Sequence, residues 1–296
     1  MKKIVFKGSG VALVTPMKEN GDVNFEELEK LIDFHLKNKT DAIIVFGTTG
    51  EGATLKDDEK KEIIKVTLNK VKGKIPVIAG TGSNSTKRAI ELSKMAQNLG
   101  CSAVLVVTPF YNKTSQEGLY NHYKIISESL DLPIILYNVP SRTGMTISPE
   151  TYLKLSKIEN IVATKEASGD ISHIAKVISL CGDELMVYSG NDDQTLPVLA
   201  LGGIGVISVF SNIFPKEMHD ITSLFLENKL DASKELFFKY LNIMNMLFCD
   251  VNPIPVKEAL NMLGFNCGKC RLPLFDLNNE NKEKLKLLLK NYKLKK

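Results

Sequence analysis

The chain has 296 residues, enough for one large domain or two modest ones. Hydrophobic residues make up 44% and charged residues 24%, which excludes collagen-like, disordered and linker-rich readings. The 38 basic and 34 acidic residues are spread along the chain to a net charge of +4, too balanced to argue for a nucleic-acid or membrane-surface partner.

No apolar run approaches the roughly 18 residues needed to span a bilayer, and the apolar stretch in MKKIVFKGSG is short for a signal peptide. The five cysteines are scattered and odd in number, which fits a reducing compartment. A cytoplasmic protein is expected, with the basic end Lys290 to Lys296 as a solvated tail.

Eight short, mostly β-branched runs read as strands buried on both faces. In chain order they are Val11 to Val14, Ala42 to Phe46, Val77 to Ala79, Ala103 to Val107, Ile134 to Val139, Ile161 to Ala163, Leu185 to Tyr188 and Val206 to Val209. Each is followed by apolar residues three or four apart, such as Phe25, Leu28, Leu31, Ile32 and His35, the spacing of an amphipathic helix. Asn24, Ser83 to Ser85 and Ser148-Pro149 supply N-terminal caps. Eight strand–helix repeats in about 220 residues are the arithmetic of a closed (β/α)₈ TIM barrel, an α/β fold. A doubly wound open sheet would usually carry a glycine-rich phosphate loop after the first strand, where this chain has Thr15-Pro16-Met17. After residue 228 the strand pattern stops, and helical stretches near 231–249, 255–263 and 279–293 predict a C-terminal helical domain. The expected division is 1–228, a catalytic barrel, and 229–296.

In such a barrel, function sits at the C-terminal ends of the strands. Those ends carry Thr15, Gly47 to Glu51, Gly80 to Gly82, Thr108 to Tyr111, Tyr137 to Pro140, Lys165-Glu166 and Ser189 to Asp192, mostly small, hydroxyl-bearing or glycine residues. Lys165 is the only lysine inside or directly ending one of the eight runs, and alternation puts Ile161, Ala163 and Lys165 on one face. Pointed into a barrel mouth, a partly desolvated lysine favours the free amine that attacks carbonyls in Schiff-base chemistry. A strand-end lysine reaching to solvent is the competing reading. Tyr137 ends the preceding strand and is placed either to relay protons or to satisfy its hydroxyl in the core. Cys267 and Cys270 have zinc-ribbon spacing without a second pair, and His35, His122, His173 and His219 show no metal-ligand spacing. Gly202, Gly203 and Gly205 precede the eighth strand and read as a turn.

The motifs GTTGE at 47–51, AGTG at 79–82, TPFYNK at 108–113, YNVPSRTG at 137–144, KEASGD at 165–170, GVISV at 205–209 and NPIPVK at 252–257 together resemble the dihydrodipicolinate synthase family, within the N-acetylneuraminate lyase superfamily. The resemblance spans nearly the whole chain. It implies a pyruvate-dependent class I aldolase that needs neither metal nor organic cofactor and is usually a homotetramer, a dimer of dimers. It also implies roles for individual residues. Lys165 would be the Schiff-base lysine, Tyr137 the proton-shuttling tyrosine, and Thr48 its link to a second tyrosine, Tyr111, donated by a neighbouring subunit. Thr49 would bind the pyruvate carboxylate, and Gly190 and Ile207 would offer backbone groups. The second substrate would be L-aspartate 4-semialdehyde, its carboxylate gripped by Arg142. Sugar-acid lyases of the superfamily share the lysine and the tyrosine, and Arg142 is what separates them from this reading. Loss of the lysine would have indicated a relative that binds a keto acid without turnover; Lys165, Tyr137 and Thr48 are all present.

Lysine-sensitive relatives bind the amino acid at a dimer interface. At the matching positions this chain has Asp57 and Lys60 where the sensitive pattern has histidines, Arg88 where it has glutamate, and Phe110 where it has tyrosine, while Asn84 fits. Weak or absent inhibition by lysine is therefore expected.

Overall fold

The structure, a computed structural model, describes residues 2–292. It opens with β1 (Gly8–Ala12), α1 (Phe25–Lys37), β2 (Ala42–Val45), α2 (Asp57–Val71), β3 (Val77–Gly80) and α3 (Thr86–Leu99). There follow β4 (Ala103–Val107), α4 (Gln116–Ser127), β5 (Ile134–Asn138), the single turn α5 (Pro140–Thr143), α6 (Pro149–Ser156), β6 (Ile161–Glu166) and α7 (Ile171–Cys181). The barrel ends with β7 (Met186–Ser189), α8 (Thr195–Ala200), β8 (Gly205–Ser208) and α9 (Pro215–Leu226), before α10 (Leu230–Met246), α11 (Ile254–Met262) and α12 (Asn279–Asn291). Residues 293–296, the end of the expected basic tail and of the helix expected to run to 293, lie outside the described residues, as does Met1.

The eight strands pair in parallel, in chain order, and β8 closes on β1. Both faces are covered, so the strands read as unbroken apolar runs. The expected caps form: the Asn24, Ser85 and Ser148 side chains accept from backbone N–H groups of the first turns of α1, α3 and α6. Phe6, just before β1, stacks on Tyr188 of β7 with ring centroids 4.4 Å apart, and the Tyr188 hydroxyl donates to the Phe6 carbonyl at 2.6 Å. That stack fills the N-terminal end of the barrel. A Cβ at Gly10 would lie 2.7 Å from the Phe6 ring, so β1 gives up a side chain to make room for it. β1 begins at Gly8, ahead of the expected Val11: its first residues pair with β8 but carry almost no hydrophobic signal.

A second difference lies in β6. Ile134 of β5 pairs with Ile161, but Ile135 pairs with Ala163, so the register jumps by one at Val162. Strict alternation is broken there, as at a β-bulge. Ile161 packs with the outer core between barrel and helices, while Val162 and Ala163 both belong to the inner cluster. The expectation that Ile161 shares a face with Lys165 is therefore corrected; Ala163 and Lys165 lie above the bulge.

Tyr240 of α10 packs on Phe214, which caps α9, with centroids 5.1 Å apart, and Tyr292 stacks on Tyr240 at 5.0 Å. The helical part thus shares the barrel's outer core. We propose the division at residue 228, where Asn228 adopts a left-handed φ of +62° between α9 and α10. Among the described residues no helix is long and apolar enough to cross a membrane.

Candidate active site

The loop after β2 is folded tightly against its own strand end. A Cβ at Gly52 would come within 2.1 Å of the Phe46 carbonyl oxygen, and one at Gly50 within 2.8 Å of the Phe46 Cα, so both positions require glycine. Glu51 itself takes a left-handed φ of +55° and is buried. Its carboxylate accepts from Lys257 Nζ at 2.8 Å and from the Arg271 backbone N–H at 2.7 Å. This ion pair is almost wholly buried on both sides, so removing one partner would strand a charge. The pair ties the C-terminal segment to the loop that carries Thr48 and Thr49.

A cavity of about 640 Å³ opens at the C-terminal ends of the strands, with Thr48, Tyr137, Arg142 and Asn252 among its walls. Lys165 lies against Tyr137, one of those walls. It opposes Tyr137 on one side and Tyr188 on the other, is only 5% exposed, and holds its Nζ over the Tyr137 ring, 4.5 Å from the centroid. Tyr137 lines the cavity, and the Lys165 amine lies against its ring. Gly190 makes room for the lysine stem: a Cβ there would stand 3.1 Å from Lys165 Cε and 2.6 Å from the Ala167 Cβ. Close packing against Lys165 is thus a reason for glycine at 190 beyond any backbone contact to a ligand. Ile207 is fully buried in the inner cluster, opposite Gly10 of β1.

Thr49 is buried, and its hydroxyl oxygen accepts from Asn252 Nδ2 at 3.0 Å, leaving the hydroxyl proton free for an acceptor such as a carboxylate. Arg142, exposed on the turn α5, donates from Nη2 to the Asn252 carbonyl at 3.2 Å. Asn252 therefore joins two of the expected substrate contacts. Asn252 opens the motif NPIPVK, the sequence signal for a residue to which no role was assigned above. Asp192, also buried at the mouth, accepts the Val209 and Phe210 N–H groups at 3.1 and 2.8 Å, and burial pushes its carboxyl pKa up. Tyr111 is the exception among the expected residues. It has a left-handed φ of +69° and is 93% exposed, so within one chain it completes no site.

The remaining motifs play other parts. His35 and His122 are buried, each with Nδ1 2.9 Å from a threonine hydroxyl (Thr40 and Thr86), and burial pulls their pKa values down to about 3 and about 4. His219 faces Asp41 at 2.9 Å. Burial pushes the Cys267 and Cys270 thiols up to about 12, far from a reactive thiolate. Gly203 leads from α8 into β8, as a turn. Arg88 pairs with Asp57 and, at 3.4 Å, with Glu91, while Lys60 is buried and its pKa is lowered by desolvation; Lys60, Arg88 and Phe110 all border the cavity.

The model of the dihydrodipicolinate synthetase family matches residues 5–292. The chain is 57% identical over 288 residues to the 4-hydroxy-tetrahydrodipicolinate synthase of Caldicellulosiruptor saccharolyticus, covering 97% of both chains. It superposes on the crystal structure of dihydrodipicolinate synthase from Aquifex aeolicus with a TM-score of 0.95 at 45% identity, covering 98% of this chain and 99% of that one. It also superposes on a monomeric dihydrodipicolinate synthase variant with a TM-score of 0.96 at 46% identity, covering 98% of each. The chain belongs to the dihydrodipicolinate synthetase family.

Proposed function

We propose that this chain condenses pyruvate with L-aspartate 4-semialdehyde to 4-hydroxy-tetrahydrodipicolinate, the first committed step of diaminopimelate and lysine biosynthesis. The observation that carries the reading is the buried Lys165, its Nζ 4.5 Å from the ring centroid of a tyrosine that lines the cavity. In this reading Lys165 Nζ attacks the pyruvate ketone and water leaves, giving an iminium. The iminium draws electrons from the adjacent methyl group, a proton leaves it, and an enamine forms. The enamine carbon bonds to the aldehyde carbon of the second substrate, whose oxygen takes up a proton. The substrate's own amino group then adds to the iminium carbon, and Lys165 departs with a proton as the ring imine forms. Thr48 and Tyr137 carry these protons, a task suited to hydroxyls that donate and accept at once. Thr49 holds the pyruvate carboxylate, Gly190 and Ile207 offer backbone groups beside it, and Arg142 grips the semialdehyde carboxylate with its planar fork.

The reading includes a homo-oligomer, a tetramer built as a dimer of dimers, in which Tyr111 completes the relay in a neighbouring copy. Its support is the 93% exposure of Tyr111, an aromatic residue held out on a left-handed turn. A cytoplasmic location fits the five cysteines, all of them free. The test is an assay of purified protein with both substrates, following product mass. Consumption of one pyruvate and one semialdehyde per product with loss of one water supports the reading; inertness toward the semialdehyde with cleavage of a sugar acid overturns it.

A further inference from the structure

Directly above the pair formed by Tyr137 and Lys165, the next residues of the same two strands, Asn138 and Glu166, also oppose each other. Their side chains point the other way, out of the barrel. There Asn138 Nδ2 donates to Glu166 Oε1 at 2.8 Å and to Thr146 Oγ1 at 2.9 Å, while Asn138 Oδ1 accepts the Ile147 N–H at 3.2 Å. Tyr152 of α6 donates its hydroxyl to the same Glu166 oxygen at 2.7 Å and lies 3.0 Å from Thr164 Oγ1. From α7, His173 Nε2 faces Glu166 Oε1 at 3.6 Å. Asn138, Glu166 and Tyr152 are each fully buried.

A buried carboxyl group so well supplied with donors faces the helices outside the barrel and is not among the walls of the cavity. Its position explains it. The register of β5 against β6 jumps at Val162, four residues earlier. Parallel register is specified by side-chain pattern, and a slip of one residue sends every side chain to the other face. Without the jump Tyr137 would oppose Thr164, whose hydroxyl faces Tyr152 outside the barrel, and Lys165 would lose its neighbour. Strand ends are also where a ladder is least constrained, and β5 and β6 end at Asn138 and Glu166.

We infer that the Asn138–Glu166 pair, braced by Tyr152, is a clamp that fixes the register above the bulge and thereby holds Lys165 against Tyr137. Both are positioning residues, acting through their sequence neighbours. The inference rests on the Schiff-base reading of Lys165.

The test is an exchange of donor and acceptor. Asn138→Asp sets two carboxyl groups face to face, whereas Asn138→Asp combined with Glu166→Gln restores one bond with its direction reversed. The measurements are kcat, both KM values, the rate of borohydride trapping with pyruvate, and the melting temperature. The single variant is expected to lose about tenfold or more in kcat and in trapping rate, with KM for the semialdehyde within about twofold, because misplacement by an ångström can cost up to about a hundredfold. The double variant is expected to recover to within about threefold of the parent in both rates. A folded Asn138→Asp with the parent's kcat, or a double variant no faster than the single, overturns the clamp. Should Asn138→Asp not fold, Asn138→Ala decides in its place: slowed trapping supports the clamp and unchanged trapping overturns it. Absence of trapping at Lys165 in the parent protein would instead defeat the Schiff-base reading itself.

Discussion

At the N-terminal end of the barrel Phe6 and Tyr188 stack 4.4 Å apart, whereas at the C-terminal end a cavity of about 640 Å³ opens between Thr48, Tyr137 and Arg142. The floor is aromatic and closed by a short hydrogen bond from Tyr188 to the Phe6 carbonyl. The mouth is built from glycine turns, hydroxyls and the buried Lys165. The contrast shows how the fold separates its tasks: close packing at one end stabilises the sheet, which leaves the other end free to hold groups whose bonding capacity is kept for substrate.

Substitutions should therefore sort by end. The largest effect on stability is expected at the floor, where Phe6→Ala should cost about 3–5 kcal/mol in denaturant unfolding while kcat of the folded protein stays within about threefold. A kcat that collapses while stability holds would erase the distinction. At the mouth, Tyr111→Phe should lower kcat roughly a hundredfold, the scale of one lost proton transfer, with no change in melting temperature. Mixing this variant with Lys165→Ala should restore part of the activity if the tyrosine serves a neighbouring copy, and none if each chain works alone. Next comes Arg142→Ala, expected to raise KM for the semialdehyde about tenfold, or 1.4 kcal/mol, while the rate of imine trapping with pyruvate is kept.

Acid probes the shell around both ends. His35 and His122 have pKa values lowered to about 3 and about 4 by burial, so the folded protein binds fewer protons than the unfolded chain between those values and about 6.5. Their contribution to stability is full above about pH 6.5 and is lost as pH falls, with a slope approaching about 1.4 kcal/mol per pH unit for each histidine. Replacing either with glutamine should flatten the pH dependence of unfolding in that window. The smallest expected effect is that of L-lysine on initial rate. Asp57, the acid that could stand in for the missing glutamate, is already paired with Arg88, and burial holds the Lys60 pKa down beside them. Half-inhibition at or below millimolar lysine would show that a working site persists.

How much of this was legible in the sequence depended on range. The eight apolar runs and their caps gave the barrel, because a parallel sheet covered on both faces writes itself as local hydrophobic runs. Lys165 stood out because a lysine at the end of such a run contradicts its surroundings. The bulge at Val162 was invisible, since a register jump belongs to a pair of strands and leaves no mark in either. Asn252, which bonds Thr49 from 203 residues away, and Lys257, which bonds Glu51 from 206, required the chain to be folded first. Gly10 fell outside the expected first run, and only the folded chain shows the Phe6 ring that a Cβ there would meet.

One covalent bond, between Lys165 and pyruvate, carries the proposed function. Incubation with pyruvate followed by borohydride and peptide mass analysis should place a single reduced pyruvate adduct on the peptide containing Lys165, and Lys165→Ala should carry none. An adduct on any other lysine, or turnover that survives in Lys165→Ala, would contradict it.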